Sequence, residues 1–229
     1  MEEIKRIVEG RSLYELSEVE QELASGSQGT NKQNNFNKVA GFIENPDISK
    51  VEKLRLLILF ALRYENDSLV YQLKQKMRTV GIDDEKLRLA DHVLEYAGKQ
   101  KRAAELFKQQ TLGAAAKRLF QMNEVENLLL AHKPVLCNTV NLAMTGKLPT
   151  QKFPATQAFN FQDRPENLII FIVGGATFQE AKEMSTTYNT EADKVIVGGT
   201  YMHNSRSFLA EMSTLSQTKN SGIASLEIQ

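Results

Sequence analysis

Apolar and polar positions follow two different rhythms along this chain. Over residues 11–24, Leu13, Leu16, Val19 and Leu23 recur at helical spacing, while Glu15, Glu18, Glu20 and Glu22 fall largely on the other side. That spacing predicts an amphipathic helix with a solvated acidic face. Residues 25–35, SGSQGTNKQNN, show no period and offer no apolar area to offset chain ordering, so a mobile loop is expected there. Ser49 followed three residues later by Glu52 is a capping-box pattern directly before the apolar run 54–62, and it predicts a helix starting at that point. Leu54, Leu57, Ile58, Ala61 and Leu62 make one face of that helix. Leu56, Leu59 and Phe60 fill much of the rest, so it should lie centrally among other helices. Further helices are expected over 68–80, 84–97, 111–121, 124–131 and 135–144, with Gly81 and Gly98 at helix-ending positions.

After Gly146 the rhythm changes. Pro149, Pro154 and Pro165 fall in a polar segment that cannot hold a long helix. Beyond it come the apolar runs 168–173 (LIIFIV) and 194–197 (KVIV), separated by a helical stretch at 178–186 and followed by another at 205–215. This order predicts a βαβα unit with adjacent parallel strands, and continuous apolar runs are the mark of strands buried on both faces. The expected fold class is therefore mixed: a mainly α-helical region at 1–147, a linker at 148–166, the βαβα segment at 167–216 and a frayed tail at 217–229. Two parallel strands alone leave faces and edges uncovered, so the sheet is expected to need strands from elsewhere.

Composition narrows the function. In 229 residues Lys plus Arg equals Asp plus Glu at 28 each, so no long-range positive field gathers nucleic acid or anionic lipid. The single cysteine, Cys137, has no internal partner, and its neighbours Val135 and Leu136 suggest a buried thiol in a reducing compartment. The apolar runs fall far short of the roughly 20 residues that cross a bilayer, and the charged start MEEIKR does not read as a secretory signal. No membrane insertion is expected, and a cytoplasmic location is.

Candidate chemistry centres on two Gly-Gly pairs. Gly174 and Gly175, and again Gly198 and Gly199, stand between a strand and a helix, where backbone amides and a helix dipole can hold phosphate. A small α/β nucleotide- or phosphate-binding domain is thus one reading. Against it, neither G-x-G-x-x-G nor G-x-x-x-x-G-K-[ST] occurs. The plainer reading makes Gly174, Gly175, Thr177, Gly198 and Gly199 structural strand-to-helix turns, with Thr177 and Asn204 as N-caps. His92, His132 and His203 lack metal-ligand spacing and read as surface or capping histidines. Lys99, Lys101 and Arg102 suit the negative end of a helix dipole. Cys137 reads as a small core residue, and G-x-S-x-G is absent. No catalytic residue, cofactor or metal ligand emerges, so no enzyme is expected.

Several segments, in order and spacing, carry a resemblance: ELSEVEQELA at 15–24, LFALRYE at 59–65, VLEYAGK at 93–99 running on to Leu106 and Phe107, DRPENLIIFIVGGAT at 163–177, and VIVGGT at 195–200 followed by His203, Asn204, Ser207, Phe208 and Leu209. Together they resemble the vacuolar-protein-sorting branch of the Sec/Munc-type (SM) syntaxin-binding family. Residues 111–161 agree less well. The resemblance implies that the helical part belongs to the family's third domain and that the two strands return to the sheet of its second. It implies that the N-terminal half, which grips syntaxin in the family, is missing from this chain. It also implies a non-enzymatic regulator of SNARE-mediated vesicle docking and fusion in endosomal and trans-Golgi to vacuole transport. The implied partners are a syntaxin-type SNARE, the assembling SNARE bundle and the missing N-terminal half. The implied location is cytoplasmic, with peripheral recruitment to endosomal and Golgi membranes through the SNAREs. No SNARE-contact residue is assigned by matching.

Overall fold

A computed structural model describes residues 2–25, 31–102, 132–156, 165–188 and 194–220, with side chains of the final helix described to residue 215. The helices expected over 111–121 and 124–131 lie outside the described residues. The chain divides into two compact units, Met1–His132 with Leu209–Gln229, and Lys133–Phe208. What is described is mostly helical, with two small parallel sheets.

The first unit contains α1 (Glu2–Gly10), α2 (Leu13–Ser25), α3 (Lys32–Glu44), α4 (Lys50–Arg63), α5 (Ser68–Thr79) and α6 (Asp84–Ala97). The capping box starts α4 as expected: the Ser49 hydroxyl accepts the Glu52 N–H, and the Glu52 carboxylate accepts the Ser49 N–H at 2.9 Å. Because apolar residues surround α4, it can be covered on several sides, and it packs against α2, α3, α5 and α6. Leu54, Leu56, Leu57, Phe60 and Ala61 are buried, and Phe60 meets the Phe36 edge at 6.4 Å and the Tyr64 ring at 4.7 Å.

Two expectations fail here. The polar stretch does not run as a loop to residue 35: Asn31 accepts the Gln33 N–H at 2.9 Å and caps α3, and Asn35 is buried, donating to the Tyr64 hydroxyl at 2.9 Å. A cap followed by Phe36, Val39, Ala40 and Ile43 on one face outweighs the polar composition of the first turn. Nor is the acidic face of α2 solvated throughout. Glu20 receives Arg55 and Glu22 receives Lys38, so part of that face turns toward cations of α4 and α3. Gly81 takes φ +75° after α5, the left-handed value that favours glycine. Gly98 caps α6 in an extended conformation, its N–H reaching Leu94 O at 2.8 Å.

The second unit contains α7 (Val135–Met144), β1 (Asn167–Ile172), β2 (Ala176–Thr177), α8 (Phe178–Tyr188), β3 (Lys194–Gly199) and β4 (Met202–His203), and α9 (Ser205–Asn220) starts in it. β1 lies parallel to β3 in a register from Asn167↔Lys194 to Ile172↔Gly199. A second, two-residue parallel pairing joins β2 to β4, which the sequence does not advertise. Helix α7, grouped by its pattern with the helical region, packs here against α8. Val140, Met144 and Met184 form the buried centre, against which Leu168, Ile170, Val195, Val197, Leu136 and the half-buried Cys137 pack. By packing, the two compact units meet in sequence at residues 132 and 133, ahead of α7. Helix α9 continues to Asn220, past the point where fraying is expected, because no glycine or proline interrupts 205–220.

The opposite face of β1 and β3 is bare among the described residues. Ile169 is 76% exposed, Phe171 66%, Val173 83% and Ile196 60%. Burial on both faces, expected from the continuous apolar runs, is thus met on one face only.

Candidate functional site

The turns leaving β1 and β3 come together. Gly174 and Gly175 take φ +107° and +116°, values that favour glycine, so the chain can reverse sharply after Val173. Gly199 is needed for a different reason: a Cβ there would stand 2.8 Å from Ala176 N and 2.9 Å from Ile172 O. Gly198 has room, its hypothetical Cβ meeting only the Phe171 ring at 3.9 Å across the register.

Every amide in the first turn has an internal acceptor. Gly174 N–H donates to Thr200 Oγ1 at 3.0 Å, Gly175 N–H to Ile172 O at 3.4 Å, and Ala176 N–H to Tyr201 O at 2.9 Å. Thr177 and Glu180 form a capping box at the start of α8: the Glu180 carboxylate accepts the Thr177 N–H and hydroxyl at 2.8 Å, and Thr177 Oγ1 accepts the Glu180 N–H at 3.2 Å. A carboxylate therefore already holds the position an incoming phosphate would seek. At α9, Asn204 Oδ1 accepts the Ser207 N–H and Ser207 Oγ accepts the Asn204 N–H, each at 3.0 Å. The Thr177-x-x-Glu180 spacing is a signal legible in sequence.

His203 is not a surface histidine. It is 8% exposed, with Nε2 3.2 Å from Gly174 O and Nδ1 3.2 Å from Ser207 Oγ. Its ring stacks with Tyr201 at 5.9 Å and meets the Phe208 edge at 6.1 Å. Nothing local marks this role, because the ring's neighbour Gly175 lies far away in sequence.

Elsewhere the geometry offers little chemistry. Cys137 sits beside Met184's cluster; burial first, then Glu183, pushes its thiol up from the ordinary value, the reverse of an activated nucleophile. Among the described residues no group of three or more His, Cys, Asp or Glu could hold a metal ion, and no helix is long and apolar enough to cross a membrane. In the first unit, two of the segments carrying the family resemblance meet: Glu65 accepts the Lys99 N–H at 2.8 Å and Arg102 Nη2 at 2.9 Å, so the LFALRYE and VLEYAGK segments form one clamp at the end of α6.

The described residues thus combine a helical unit with a parallel α/β unit whose glycine turns are engaged internally. The model of the Sec1 family matches residues 1–211, and the chain belongs to that family. Vacuolar protein sorting-associated protein 45 of Homo sapiens is 34% identical over 217 residues, covering 92% of this chain and 37% of the relative. The Arabidopsis thaliana homolog of the same name is 32% identical over 225 residues, 96% of this chain and 39% of the relative. Among solved structures, the SM protein Vps45 in complex with the Qa SNARE Tlg2 superposes with a TM-score of 0.75 at 27% identity, over 94% of this chain and 39% of that one. The Unc18–syntaxin 1 complex from Monosiga brevicollis, at 18% identity and a TM-score of 0.64, shares the fold. The chain spans well under half the length of the curated relatives it matches.

Proposed function

We propose that this chain is the C-terminal part of an SM-type regulator of SNARE-mediated vesicle docking and fusion, acting in endosomal and trans-Golgi to vacuole transport. The observation that carries this reading is its likeness to a Vps45 held with a Qa SNARE. Work of this kind is scaffolding and not catalysis: holding SNARE helices in a productive arrangement reduces the entropy cost of their association. The partners are a syntaxin-type SNARE and the assembling bundle, and the protein reaches endosomal and Golgi membranes peripherally, through those SNAREs. Residues 1–147 contribute to the family's third domain, 148–166 link, and 167–216 return as a βαβα segment to the sheet of its second. The bare face bearing Ile169, Phe171, Val173 and Ile196 supports that return. It is covered by the N-terminal half of a Sec1-family protein, since the relatives carry more than half their length outside the matched region.

The phosphate-binding alternative is less well supported, because the turn amides are engaged internally and Glu180 caps α8. A fusion assay with reconstituted SNARE liposomes tests the proposal, using a human Vps45 whose matching region is replaced by this chain. Faster fusion than SNAREs alone is expected. A soluble chimera that binds neither the Qa SNARE nor the assembled bundle would overturn the reading.

A further inference from the structure

We propose that His203 is a lock joining the β1–α8 turn to the β3–α9 turn, so that the starts of α8 and α9 open and close together. Gly174 O can only accept, so Nε2 carries the proton that bonds it; Nδ1 is then an acceptor facing Ser207 Oγ in the first turn of α9, whose single proton it shares with Asn204 O at 3.1 Å. One ring thereby ties the first turn's backbone to the second turn's helix cap, since the same Ser207 hydroxyl accepts the Asn204 N–H. The fit is steric as well as polar. A Cβ on Gly175 would stand 2.3 Å from His203 Cδ2 and 2.6 Å from Nε2, so ring and glycine occupy mutually exclusive space. Tyr201 and Phe208 flank the ring and hold its plane. Two further bonds run between the same two turns, the backbone bond from Ala176 N–H to Tyr201 O and the bond from Gly174 N–H to the Thr200 side-chain Oγ1. These contacts lie beyond the β1–β3 ladder, which ends at Ile172↔Gly199. The turns can therefore release as a pair while the ladder stays formed, and a partner that displaces one frees the other.

Amide hydrogen exchange on the whole chain tests this. In His203→Ala, Ala176 and Ser207 should exchange about tenfold faster, the scale of one or two lost buried hydrogen bonds, while Ile170 and Val197 keep their protection. Uniform acceleration, or unchanged turns, would overturn the lock. Gly175→Ala, which displaces the ring without deleting it, should give the same local pattern. A double-mutant cycle removes the remaining ambiguity: the cost of a side chain at φ +116° is present with or without the ring, so it cancels. Gly175→Ala should be milder in the His203→Ala background; strict additivity would contradict the proposal.

Discussion

The helical unit and the α/β unit bury apolar residues by different means. In the first, α4 is apolar on most sides and neighbours lie around it: Leu56, Leu57 and Phe60 are wholly inaccessible. In the second, α7 and α8 cover one face of β1 and β3, while the other face, equally apolar in sequence, is open among the described residues. A helix surrounded by its own unit needs no further cover, whereas a two-stranded sheet covered on one face leaves apolar area that a further layer would bury. The same side-chain types thus stand in a closed core in one region and, under the proposed function, at an interface in the other.

The largest expected effect lies in the closed core. Leu57→Ala should destabilise the chain by about 2–5 kcal/mol in urea denaturation, because it leaves a cavity between α4 and its neighbours. A loss under about 0.5 kcal/mol would mean that α4 is peripheral and would break the comparison.

Polar anchoring of the same helix should show in pH dependence. Burial pushes the Glu52 carboxyl up, but hydrogen bonds from Arg11 and Ser49 outweigh it and hold its value below the usual range. A depressed folded-state value stabilises above the unfolded value of about 4.3 and is lost as pH falls through the folded one. Glu52→Gln should therefore lower the denaturation midpoint at pH 7 and converge with the parent chain under acid. Glu20 has the opposite sign: burial raises its value despite Arg55, so its ionisation opposes folding at neutral pH and acidification relieves that cost. Parallel pH curves for parent and Glu52→Gln would refute this assignment.

In the α/β unit, Thr177→Ala removes one half of the α8 capping box and should cost about 0.5–2 kcal/mol. The smallest effect is the most telling. Ile169→Thr on the bare face keeps a β-branched side chain and should change stability by less than about 0.5 kcal/mol, against the far larger cost at Leu57. A cost above about 2 kcal/mol would show that the face is covered.

How legible this was depended on the range of the interaction. The start of α4 could be read because Ser49, Glu52 and the apolar run lie within a few residues of one another. α3 was obscured by the all-polar composition of its first turn, although Phe36, Val39, Ala40 and Ile43 carry its period. The strand positions were readable from LIIFIV and KVIV, but which face is covered was not. A continuous apolar run records that a strand can be covered on both faces, not which segment covers each. The seating of His203 against Gly175 left no local trace, because two distant segments make it.

Hydrophobic-dye fluorescence of the purified chain, read together with light scattering, tests most directly whether the open sheet face is an interface. Saturable dye binding or self-association is expected, abolished by polar replacement of Ile169, Phe171, Val173 and Ile196 together and suppressed by adding the N-terminal half of a Sec1-family relative. A dye-silent monomer, unchanged by either treatment, would contradict it.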